Sequence, residues 1–134
     1  ERIKAATSGP CPLLSQNAAL TALEEAPHVP AEFRAIYQRR RDCMTAGLDA
    51  MGISYGHPGG GLFMWADISP FGVPAEEFCL DVLRQTGVLM FPGKSFGQKW
   101  EYFVRISLLA KEAKITEALE RVGDHIEKLR AGTR

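Results

Sequence analysis

The chain has 134 residues, 46% apolar and 24% charged, with sixteen Lys and Arg balanced by sixteen Asp and Glu. A net charge of zero argues against a nucleic-acid-coating or membrane-surface role, since both rest on a basic excess; a local basic site is still allowed. The length suits a single domain over residues 1–134, able to bury roughly two-thirds of its unfolded surface.

Taken in chain order, Gly9, Pro10 and Pro12 break structure, and Ser15 is placed to cap a helix to about Ala26, with Ala19, Leu23 and Ala26 on one face. "PHVP" ends it, and Pro30 suits the first turn of a second, long helix over about 31–51. Phe33, Ile36, Tyr37, Met44, Leu48 and Met51 fall at helical spacings along it. Gly52 closes that helix, "ISY" (53–55) and "LFMWADI" (62–68) read as strands, and "GHPGGG" between them reads as a hairpin loop. Ala75, Phe78, Cys79, Val82 and Leu83 give a helix over about 75–86, stopped by Gly87. "VLMF" (88–91) is a short buried strand, 92–100 a loop, "YFVRISL" the last strand, and 112–130 a final amphipathic helix. Two adjacent-strand pairs with helices before and after predict an α+β fold, a small and largely antiparallel sheet covered by helices.

The three cysteines, Cys11, Cys43 and Cys79, are odd in number and far apart, which fits a reduced, cytoplasmic setting better than a disulfide framework. No apolar run is long enough to span a bilayer. The opening "ERIKAATSGP" has neither an initiator Met nor a secretory pattern, and it reads as a cut into a longer polypeptide.

Several constellations fail. His28, His57 and His125 have no second ligand at metal spacing, so no metal site is expected and they read as surface or capping residues. "PGKS" (92–95) resembles the end of a phosphate loop, but five residues, "VLMFP", separate Gly87 from Gly93 where the motif needs four, and they read as a strand. "RRR" (39–41) lies on a helix, where consecutive side chains point in three directions, so it reads as solvated surface paired with acids such as Glu32 or Asp42.

One charge stands out. In "YFVRISLL" (102–109) an arginine interrupts an apolar strand. Alternation puts Val104, Ile106 and Leu108 on a core face and Phe103, Arg105 and Ser107 on the other. Arg105 is then either an edge arginine with an exposed head or a structural carboxylate partner, or a fixed guanidinium fork that takes a ligand's carboxylate through two parallel hydrogen bonds. Spacing alone does not choose.

"GGLFMWADI", "TGVLMFPGKSFG", "YFVRISLL" and "KITEALERV", with "LLSQNAALTAL" and "YQRRRDCM" before them, resemble the C-terminal small domain of the class I/II, fold-type-I aminotransferases, the pyridoxal-phosphate enzymes that include aspartate aminotransferase. The resemblance covers essentially the whole chain. It implies that Arg105 binds the α-carboxylate of an amino-acid or 2-oxo-acid substrate, and that Phe63, otherwise a core aromatic, stands beside the substrate. It implies that the complete protein moves an amino group from an amino acid to a 2-oxo acid, typically as a homodimer. The family's Schiff-base lysine and its pyridoxal 5'-phosphate-binding residues belong to a preceding large domain of the same polypeptide. Lys94, after Pro-Gly, does not match that lysine's motif. This chain is therefore expected to hold no catalytic or cofactor-binding residue and to be inactive alone. The competing readings are a free-standing α+β domain that binds a small carboxylate or a protein partner without catalysis, and a transcription regulator carrying an aminotransferase-like domain.

Overall fold

A computed structural model describes residues 9–132. The opening "ERIKAATS", read above as part of a cut end, lies outside them. The chain forms two compact units, one up to Ala35 and one from Ile36 onward.

In the first unit, helix α1 spans Leu13–Glu25 and buries none of its residues. Pro12, not Ser15, stands at its N-cap: its fixed φ of −54° suits the helix entrance, and its carbonyl accepts the Gln16 N–H at 3.1 Å. Ser15 falls inside the first turn, and Leu23, on the shared face with Ala19, is 77% exposed. Helix α2 runs Val29–Ala50, so Pro30 sits in its first turn, where a missing N–H costs nothing.

The second unit carries the sheet. Strand β1 (Ser54–Gly56) follows a tight exit from α2, where Gly52 takes φ 66° and Ile53 donates back to the Leu48 carbonyl at 2.9 Å. Strand β2 (Phe63–Asp67) pairs antiparallel with β1 across the "GHPGGG" loop. Helix α3 occupies Ala75–Thr86, as the apolar spacing predicts, and ends on Gly87 at φ 72°. Strand β3 (Phe91–Pro92) is shorter than "VLMF" predicts. Val88 donates to the Thr86 hydroxyl instead of joining the ladder, and Pro92 has no N–H to donate. Strand β4 (Phe103–Ser107) pairs with both β2 and β3, and helix α4 (Glu112–Gly132) completes the chain.

The fold is α+β, with an all-antiparallel sheet of order β1-β2-β4-β3. That order makes β4 an interior strand, so Arg105 is not an edge arginine. One sheet face presents Met64, Ala66 and Val104 to a core completed by Met44 and Leu48 of α2, Phe78 and Val82 of α3, and Ile115, Val122 and Ile126 of α4. Met64, Ile68, Val82, Val104, Leu108 and Ile126 are all less than 2% exposed, and full burial of each contributes about 1.5–3 kcal/mol. Among the described residues no helix is long and apolar enough to cross a membrane.

Candidate functional site

The face of the sheet turned away from the core is aromatic. Strand alternation places Phe63 and Trp65 on it from β2, and Phe103 and Arg105 from β4. Register puts Trp65 directly opposite Arg105 on one side and Phe91 of β3 opposite it on the other. The 3₁₀ turn Gly93–Phe96 then carries Phe96 back over the same face. Rings link across it: Trp65 lies 5.6 Å from Phe96 and 5.2 Å from Trp100, and Trp100 lies 5.1 Å from Phe103, centroid to centroid.

Arg105 sits inside this collar. Its guanidinium carbon is 4.2 Å from the Phe63 ring centroid, 4.5 Å from Phe96 and 5.0 Å from Phe91, all within cation–π range. Its Nε is buried without a hydrogen-bond partner, and no carboxylate among the described residues pairs with it. The structural-carboxylate alternative therefore has no support here. Phe63, at 39% exposure, is not a core aromatic; it stands against the guanidinium. A cation held by ring faces keeps its donors unspent, and its fork matches a planar oxyanion such as a carboxylate.

Several other cations are spent. Arg39 pairs with Glu112 at 3.4 Å and Arg41 with Asp42 at 2.7 Å, as the surface reading of "RRR" requires. Arg40 departs from that reading: it is half-buried, donates to the Leu108 and Leu109 carbonyls at 3.3 and 2.9 Å, and lies over the Tyr37 ring. Arg121 pairs with Glu117, and Arg130 donates to the Met51 carbonyl at 2.9 Å. Lys94 bonds Glu101 at 3.1 Å, and that bond raises its pKa, so its amine stays protonated and is no nucleophile at neutral pH. His125 is no lone surface histidine; it meets Asp81 at 2.6 Å between α4 and α3. Burial pushes the Cys79 thiol up to about 11, which suits a small core residue.

Phe91, Phe96, Trp65 and Trp100 escape sequence reasoning. Phe63 and Trp65 share a face by alternation, but their register against Arg105 is not a local property. Phe96 lies on a turn, where no periodicity marks it.

Residues 3–122 match the model of the family described as aminotransferase class I and II. This chain belongs to that family. It is 38% identical over 107 residues to an LL-diaminopimelate aminotransferase of Maridesulfovibrio salexigens, covering 80% of this chain and 27% of that protein. Its fold matches the crystal structure of an aminotransferase from Mycobacterium tuberculosis with a TM-score of 0.85 and 32% identity, over 94% of this chain and 33% of that one. An aromatic aminotransferase from Pyrococcus horikoshii matches with a TM-score of 0.77 and 29% identity, over 80% of this chain and 28% of the other. The chain thus spans about a quarter to a third of the length of these aminotransferases.

Proposed function

We propose that this chain is the carboxylate-binding small domain of a pyridoxal-phosphate-dependent aminotransferase, and that Arg105 takes the α-carboxylate of the amino-acid or 2-oxo-acid substrate, with Phe63 beside it. One observation carries the reading: a guanidinium on an interior strand of a class I/II aminotransferase chain, with no acid among the described residues to neutralise it. A bidentate pair there would fix the carboxylate in plane and hold the substrate's Cα in one orientation, the kind of positioning that lowers a barrier without chemistry of its own. LL-diaminopimelate, named for the relative above, carries that α-carboxylate, as does any α-amino acid, so the reading does not depend on the side chain.

Bound pyridoxal phosphate supplies the electron sink for amino-group transfer. The described residues do not fit that group: Lys94, on the loop nearest Arg105, is tied to Glu101 and protonated. The cofactor and its lysine are assigned to a large domain of the same polypeptide, and the complete enzyme to a cytoplasmic homodimer. The exposed rings of Phe63, Phe91 and Phe96 favour a face that another domain covers over that of a stand-alone module.

The test is made on the undivided native gene product. Borohydride reduction followed by intact mass should give a protein well above this chain's mass with one reduced pyridoxyl adduct on a lysine. Arg105→Lys should then raise KM for both amino acid and oxo acid, because a point charge replaces the fork. A native product that ends at these 134 residues and carries no adduct sinks the enzyme reading.

A further inference from the structure

Phe91 and Phe96 have no core to serve. They are 47% and 46% exposed, on a two-residue strand and a 3₁₀ turn. What they share is the Arg105 guanidinium, approached from two segments, with Phe63 closing a third side. The turn that carries Phe96 is braced. Gly93 is buried where an added Cβ would lie 2.6 Å from the Trp100 carbonyl oxygen and 2.7 Å from that of Phe103, and Gly97 takes φ 140° to close the turn onto the Lys94 carbonyl.

We infer that Phe91 and Phe96 are positioning residues that hold the Arg105 guanidinium in its ligand-ready pose. The inference deepens the proposed function and rests on it. An arginine can be fixed by acceptors, as Arg40 is by two carbonyls, but each acceptor consumes an N–H that a ligand would need. Ring faces attract the cation through their quadrupole and consume none. The collar therefore restrains a long, flexible side chain and leaves its fork unspent. Three rings around the carbon also limit the ways the plane can turn, so a carboxylate meets it in a narrow range of orientations.

The test uses the undivided native gene product and the arginine Nε–Hε signals in a nitrogen–proton NMR spectrum. The buried Nε of Arg105 slows exchange with water, and Arg105→Lys assigns its signal. The Hε should be shifted by the ring currents. Pyruvate, as the carboxylate probe, should move it, and pyruvamide, its neutral analogue, should not. Phe96→Leu and Phe91→Leu should return the signal toward that of a solvated arginine and weaken pyruvate binding roughly two- to thirty-fold. Phe96→Tyr, which keeps the ring, should restore both. Tm should stay near that of the parent in Phe91→Leu, the variant with less at stake in the turn. A parent chain that binds pyruvate through Arg105 while both leucine variants bind it equally well overturns the positioning role alone. A parent chain whose Arg105 signal ignores pyruvate overturns the carboxylate reading, and the positioning role falls with it.

Discussion

Arg40 and Arg105 are the same side chain under the same strain, solved two ways. Each has a buried Nε without a partner. Around Arg40, Nη1 donates to the carbonyls of Leu108 and Leu109, just past β4, with the Tyr37 ring beneath. Around Arg105 there are three rings and, among the described residues, no acceptor for its Nε. The first arrangement ties a helix to the end of a strand and spends Nη1 on two carbonyls. The second leaves donors over, which is what a binding site needs and a structural link does not.

The contrast can be attacked first at the turn that shapes the Arg105 side. Gly93→Ala would press a methyl against two carbonyl oxygens and the Trp65 ring, 2.6 to 2.9 Å away. Backbone oxygens cannot swing aside, so about 2–4 kcal/mol of stability should be lost, at or above the usual range for overpacking, read as a lower urea midpoint. Next comes Arg40→Met, which should cost about 1–3 kcal/mol by leaving two carbonyls short of a donor. Arg105→Met should cost less than Arg40→Met, since losing the cation–ring attraction, about 0.5–2 kcal/mol, is offset by deleting a buried N–H that has no partner. Pyruvate binding should fall by about ten-fold or more in the same variant. Equal destabilisation by the two methionine variants would break the contrast.

The smallest effect is electrostatic and belongs to Arg39, the neighbour of Arg40. Glu112 has its carboxyl held below the ordinary range, first by a backbone hydrogen bond at its own helix N-terminus and then by the Arg39 charge. A folded pKa below the unfolded one contributes stability at pH above the ordinary carboxylate value and loses it as pH falls through the lowered one. Glu112→Gln should therefore remove a shallow acid-side slope in Tm and leave neutral pH nearly unchanged. A slope that survives the substitution assigns it to other carboxylates, Glu117 among them.

Much of the fold is legible in the residues because its signals are local. The i, i+3, i+4 spacing of Ala75, Phe78, Cys79 and Val82, all buried, sets α3 at Ala75–Thr86 as expected. Alternation separates Val104 from Arg105 correctly. Errors arise where two local signals compete. Pro12 outranks Ser15 at the first helix entrance, and Pro92 with the Thr86 hydroxyl cuts β3 short. The site is harder. Arg105 is visible as a charge in a strand, but the collar depends on which residues β2 and β3 set opposite it and on a turn that folds over the sheet. Arg40 fails for the same reason: three consecutive arginines look alike until their distant partners are known.

The ring stack has one more consequence. The chain contains two tryptophans, Trp65 and Trp100, and they stand 5.2 Å apart on the Arg105 face. The indole emission of these 134 residues thus comes from one surface, and two indoles that close exchange excitation. Within this chain it is an optical gauge of the outer sheet face, and it is largely blind to the core beneath.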